Sequence, residues 1–299
     1  MASAWTPSVV DSGCGGVSVS SARTCGFGLI QPLADAATKW RLVGRARSDA
    51  RGMTMLEIAQ ESYDPPFAVT VLGQFRLLRG VDVVRVPRAS QRLLAFLALH
   101  DRIVERAALA GALWPEASEP RAYSSLRAAL SRLQSTARMA LGASQLELGL
   151  AQGVIVDIHG ARALARRLLD PAVPPGPGDL GSSAVVALSA DLLPDWYDDW
   201  VLVEAEDWRQ LRLHALEALT DHLAAAGRWG EAAGAARAAV RGEPLRETSH
   251  AALIRVYLAE GNVSEAVREF TSYRALLHDE LGLEPTPRLR RLIQNARNT

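Results

Sequence analysis

Four arginines stand in the stretch "EPRAYSSLRAALSRLQSTARMALG", residues 119–142, at Arg121, Arg127, Arg132 and Arg138, with no carboxylate after Glu119. A guanidinium group is permanently charged and offers a planar fork of donors that matches phosphate oxygens or the edge of a guanine. Such a set can grip a polyanion. Between the arginines lie Ser124, Ser125, Ala128, Ser131 and Ser135, small enough to let a backbone come close to a surface. If the stretch is one helix, counting 100° per residue from Arg121 puts Leu126, Leu130, Leu133 and Ala137 at roughly 120° to 180°. Arg127 and Arg138 then fall near roughly 250°, Ser124, Ser131, Ala128 and Ser135 at roughly 280° to 340°, and Arg121 and Arg132 at about 0° to 20°. The outward face is a strip of small residues with arginine on both shoulders, which suits a major groove about 12 Å wide. The rival reading is an ordinary solvated face. Against it, a solvated helix normally mixes signs for i,i+4 support, and this one has no acid over its length.

Gln91 and Arg92 are a second candidate pair. They follow Ser90, a plausible N-cap, at the start of "RASQRLLAFLALH", where free N–H groups and the helix dipole favour an anion. A DNA phosphate contact and plain capping both fit. Trp114, between a leucine and a proline, is read as core. Trp196, Tyr197 and Trp200 in "DLLPDWYDDWVL" are read as an aromatic seal of a linker onto the following domain, with a peptide-docking patch as the alternative. The six histidines show no metal spacing, and Cys14 and Cys25 sit in no CxxC pattern. No G-x-S-x-G elbow, dinucleotide loop or G-x-x-x-x-G-K-[ST] phosphate loop occurs. The expectation is a protein that is not an enzyme, with no cofactor and no metal.

The chain of 299 residues has 33 basic and 33 acidic side chains, so its formal charge is zero. No global field draws it to nucleic acid or an anionic membrane, and any such attraction must be local. The apolar run from Leu93 to Leu99 is far short of the roughly 20 residues needed to cross a bilayer, and no secretory signal is visible. A cytoplasmic protein without membrane contact is expected.

Residues 1–64, rich in Ser, Gly and Ala, are expected to be disordered or a mis-annotated extension, with Met53 or Met55 as the true start. From Phe67, "FAVTVLGQFRLLRGVDVVRVP" alternates like short antiparallel strands. Helices then follow at "RASQRLLAFLALHD", at "VERAALAGALW" and from about residue 120 to 141. "QLELGLAQGVIVDI" reads as two short strands around a glycine-bounded turn. Strands, three helices and a hairpin are the order of a winged helix-turn-helix, whose third helix is the reader. The hairpin carries Glu147 and Asp157 and no cation, so wing contacts to a phosphate backbone are disfavoured. "DPAVPPGPGDLGSSAVVALSAD" is read as a linker or long loop.

The carboxy-terminal third repeats at an offset of 34, which places Gly227 on Gly261, Glu231 on Glu265 and Ala232 on Ala266. That is the tetratricopeptide period. The fold class expected is mainly α: an α+β winged helix-turn-helix domain at 65–160, a linker at 161–195, and a tetratricopeptide-like all-α domain at 196–299.

In combination, "ASQRLLAFLALH", the "LWP" corner at 113–115, "DLLPDWYDDWVLVEAEDW" and "ELGLEPTP" at 280–287 resemble the Streptomyces antibiotic regulatory protein (SARP) type of transcriptional activator. Its members join an OmpR-like winged helix to a bacterial transcriptional activator domain. The resemblance covers about residues 67–293. It implies double-stranded DNA and RNA polymerase holoenzyme as partners, a homodimer or oligomer on promoter-proximal repeats, and recognition-helix positions within 121–132. The alternative function is a tetratricopeptide-type scaffold whose winged helix no longer binds DNA.

Overall fold

The computed structural model describes residues 66–297; the expectations about residues 1–64 lie outside them. Strands β1 (Phe67–Thr70), β2 (Arg76–Arg79) and β3 (Asp82–Val84) form an antiparallel meander. Gly73 and Gly80, at φ 80° and 60°, make its two turns in a region that side-chain-bearing residues avoid. Helix α1 (Arg88–His100) follows, then β4 (Val104–Glu105), α2 (Arg106–Leu113), α3 (Glu119–Ser131) and the one-turn α4 (Ser135–Arg138). Strands β5 (Leu141–Ala143) and β6 (Glu147–Leu150) form the hairpin, and β4 adds to it in the order β4-β6-β5.

The apolar run of α1 is explained by its place. All seven residues from Leu93 to Leu99 are buried. Leu94, Ala95, Ala98 and Leu99 belong to the main core, while Leu93, Phe96 and Leu97 pack into a second cluster with Leu109, Leu113, Leu126 and Leu148. Helix α1 is therefore the wall between two cores and has little free face. Ser90 is not the cap. It is the third residue of α1, and its hydroxyl donates to the Ala129 carbonyl of α3 at 2.7 Å.

Two expectations about strands and linker change. The hairpin is formed by Leu141–Ala143 and Glu147–Leu150, whereas β7 (Ile155–Val156) runs parallel to β1 in the first sheet. Asp157 is thus not on the wing. It is half-buried and accepts from the backbone N–H groups of Val71, Leu72 and Ile158. Burial raises its pKa, an effect those hydrogen bonds only partly offset.

The segment read as a linker is instead packed structure. Helix α5 (Asp157–Leu169) lies against the long α7 (Asp199–Ala225). After a 3-10 turn at Pro177–Leu180 comes α6 (Ser182–Ser189), which buries Ala184 and Leu188. The chain is then strapped to the first sheet: the Gly73 N–H donates to the Asp191 carbonyl at 2.7 Å and the Leu193 N–H to Val71 at 3.0 Å. The glycine- and proline-rich part before 182 suggested a loop, and "SSAVVALS" was too short for periodicity to mark as a helix. Trp196 and Trp200 stack edge to face at 6.3 Å and bridge Phe75 and Phe96 of the winged half, while Tyr197 stays exposed.

Helices α8 (Trp229–Gly242), α9 (Glu247–Ala259), α10 (Val263–Leu281) and α11 (Pro287–Arg297) complete the all-α part. The 34-residue repeat has a direct structural meaning. Gly227 and Gly261, at φ 71° and 88°, close the turns after α7 and α9, and Ala232 and Ala266 are fully buried in the first turns of α8 and α10.

Candidate nucleic-acid interface

Helices α2 and α3 are joined by Trp114 to Ser118 and share the second core. Ala122, Leu126 and Ala129 form the buried stripe of α3, and Leu130 is half-buried. Arg121, Ser124, Arg127, Ser131 and Arg132 are exposed, with Ser125 and Ala128 half-exposed beside them. The Arg127 guanidinium donates to the Ser124 hydroxyl at 3.3 Å. Among the described residues the arginine ion pairs lie elsewhere, and none within 4.0 Å involves Arg121, Arg127, Arg132 or Arg138. The arginines of α3 are therefore held in no ion pair, although Arg121 lines a shallow pocket together with Glu116, Asp198 and Asp199.

The helix is shorter than its composition suggests. It ends at Ser131, with Arg132 as C-cap, and Leu133 and Ala137 are buried from the turn and from α4. Ser135 is exposed but belongs to α4, so the angular count from Arg121 does not extend to it. Arg138 has a different task. Its guanidinium donates to the carbonyls of Leu130, Ser131 and Leu133 at 3.2, 3.4 and 3.2 Å, the acceptors left unsatisfied at a helix C-terminus. It closes the end of α3 in place of a glycine.

The second candidate pair is also turned inward. Gln91 donates to the Val86 carbonyl at 2.8 Å. Arg92 donates to the Leu113 carbonyl at 2.6 Å, pairs with Asp198 ahead of α7, and lies 5.9 Å from the Trp114 ring. Arg92 joins the winged half to the helical half and is not free for a phosphate. The residue sequence reasoning missed is Arg106, at the start of α2. Its guanidinium donates to the Ser144 carbonyl at 2.9 and 3.3 Å and holds the hairpin turn. The Ser144 hydroxyl accepts from the N–H groups of Leu146 and Glu147. The tip presents exposed Leu146 and no cation.

Charge is divided along the chain. Residues 66–156 hold eleven basic and six acidic side chains, whereas 157–297 hold sixteen and twenty-one. Formal neutrality conceals a cationic winged half and an anionic helical half.

Residues 156–297 match the family model "Bacterial transcriptional activator domain". Its start coincides with β7 and α5, which places α5 with the helical half. The chain is 31% identical to the regulatory protein AfsR of Streptomyces coelicolor over 263 residues, 79% of this chain and 25% of that one. The AfsR of Streptomyces griseus is 29% identical over 244 residues, 75% and 24% respectively. The chain thus carries a bacterial transcriptional activator domain over residues 156–297 and is similar over most of its described length to regulators of the SARP type. It spans about a quarter of the length of these curated relatives. A Mycobacterium tuberculosis EmbR structure, solved with a low-affinity phosphopeptide, shares the SARP-type fold. It superposes with TM-score 0.60 at 23% identity, covering 78% of this chain and 65% of that one. No described helix is long and apolar enough to cross a membrane.

Proposed function

We propose that this SARP-type chain is a cytoplasmic, sequence-specific DNA-binding regulator that inserts α3 into the major groove of its promoter. The observation that carries the reading is the outward face of Arg121, Arg127 and Arg132 around Ser124, Ala128 and Ser131, whose arginines enter no ion pair within 4.0 Å among the described residues. Phosphate contacts position such a helix, and one or two arginines read base edges. Ser125 lies half-exposed beside this face. The wing has no cation to add, so α3 supplies most of the electrostatic affinity. The helical half, anionic in net charge, carries the protein contacts, to a second copy on an adjacent repeat and to RNA polymerase holoenzyme, through which the chain activates transcription. No metal, cofactor or catalytic step enters this reading.

Gel-shift titration of the protein on its own upstream DNA tests it. Arg127→Ala and Arg132→Ala each weaken binding, and each lowers the slope of log affinity against log salt by about 0.9, one phosphate contact. Affinity retained at an unchanged slope would refute the assignment of α3. Transcription in vitro with purified polymerase, with and without the protein, gives the sign of regulation.

A further inference from the structure

Helix α11, Pro287–Arg297, is a second cationic rod, and it stands in the half of the chain that is otherwise acidic. No Asp or Glu follows Glu284 in the sequence. Counting 100° per residue from Pro287, Arg288, Arg290, Arg291, Gln294 and Asn295 share one arc of roughly 160°. All five are exposed. Leu289 and Ile293 are buried on the opposite side and Leu292 is half-buried, which anchors the helix to α9 and α10. Two acids near its start are already engaged: Glu284 accepts from Arg274 at 2.7 and 3.1 Å while also attracting Arg290 at longer range, and Glu247 accepts from Thr286. Of the three arginines, only Arg291 has a partner within hydrogen-bond reach, the Pro287 carbonyl one turn back. None forms an ion pair within 4.0 Å among the described residues.

The kind of partner follows from what the arc lacks. A helix lying in a membrane turns an apolar face to the lipid, but the apolar face of α11 is buried against the fold, and its outer arc offers only guanidinium and amide groups. A phosphate backbone needs no apolar contact and takes its affinity from cations and amide donors. We infer that α11 is a second nucleic-acid contact, in which Arg288, Arg290 and Arg291 hold duplex phosphates outside the segment read by α3. This rests on the DNA-binding reading of α3. It gives each chain two footholds on the duplex, one at each end of the fold's sequence, with the acidic helices between them.

The test uses the full chain and two sets of duplexes, one limited to the α3 footprint and one lengthened by successive helical turns on either side. The variant Arg288→Gln, Arg290→Gln, Arg291→Gln keeps good helix formers at exposed positions, and circular dichroism with thermal melting confirms that it folds. The wild type gains affinity and salt slope on lengthening. The triple variant matches the wild type on the short duplex and loses the gain on the long one, with a slope lower by about 2.7 for three contacts. Lysine at the same three positions restores it. Equal binding of wild type and triple variant at every length overturns the inference, as does a loss that lysine does not restore. If the triple variant binds DNA normally and fails only in transcription with polymerase, the surface meets protein and the inference is likewise wrong. Arg127→Ala and Arg132→Ala serve as the internal reference: if they too leave both duplexes unaffected, it is the assignment of α3 that fails.

Discussion

Arg138 separates a structural arginine from a binding one in the same short stretch. It donates to three carbonyls at the end of α3, so Arg138→Ala removes the group that closes the helix and leaves DNA-facing arginines in place. The bonds are long, at 3.2 to 3.4 Å, and the side chain is exposed. They therefore contribute less than the roughly 1.5–3 kcal/mol of a good charged hydrogen bond. A cation at a helix C-terminus contributes about 0.3–1 kcal/mol. The combined expectation is a loss of about 1 kcal/mol, or a Tm lower by about 2–4 °C for a folded unit of this size. Thermal melting measures that, and the salt titration of DNA binding measures the rest. Arg138→Ala weakens binding modestly at every salt concentration, because α3 frays, but it keeps the wild-type slope. Arg138→Lys, which can still reach the carbonyls, recovers most of the stability. Arg127→Ala shows the reverse pattern, an unchanged Tm and a lower slope. A slope for Arg138→Ala reduced as far as that of Arg127→Ala, with no change in Tm, would refute the capping role and return Arg138 to the binding face.

The Arg92–Asp198 pair, partly buried and bridging the winged half to the start of α7, makes a second prediction. Arg92→Ala or Asp198→Asn lowers stability by about 2 kcal/mol in urea unfolding, since the partner is left poorly solvated, and the double variant costs little more than either alone. The DNA salt slope stays unchanged. Glu217 carries the pH dependence of the helical half. Burial alone would raise its pKa, but hydrogen bonds from Arg246, Thr248 and Ser249 outweigh that and hold it below the usual value of 4.5. A lowered folded pKa means that its stabilisation is present above about 4.5 and is lost as pH falls from there through the folded value. The Tm gap between wild type and Glu217→Gln is therefore widest near neutral pH and narrows on acidification; a gap that stays constant below pH 4 contradicts this.

The overall architecture was legible because its signals are periodic and local. The offset of 34 fell on Gly227 and Gly261, where a positive φ demands glycine, so composition and backbone geometry carried the same message. The exposure of the arginine side of α3 was legible for a related reason, as charge opposite a stripe of Ala and Leu marks the outward side of a helix. What failed was non-local. Nothing near Arg92 announces Asp198, which lies 106 positions away, and nothing near Asp157 announces the N–H groups of Val71 and Leu72. Helix length failed differently. Leucine at 130 and 133 and alanine at 137 keep the apolar period across a break, because the turn and α4 bury the same side as α3. Periodicity reports which side is buried and is blind to whether the rod is continuous.

The division of charge ties these parts together. A uniformly neutral chain would meet DNA through whichever surface collided first. On the proposed DNA-binding reading, the net-cationic winged half is drawn to the duplex while the acidic helices between α3 and α11 are not, so approach is oriented before any base is read. The strap from Asp191 to Leu193 and the Arg92–Asp198 pair fix the two halves to each other, so that orienting one orients both. A flexible linker would lose this, because each half would then turn independently. On this argument the packed segment before α7 is a functional part of the protein, since it converts a local electrostatic preference on α3 into a defined direction for the whole helical domain.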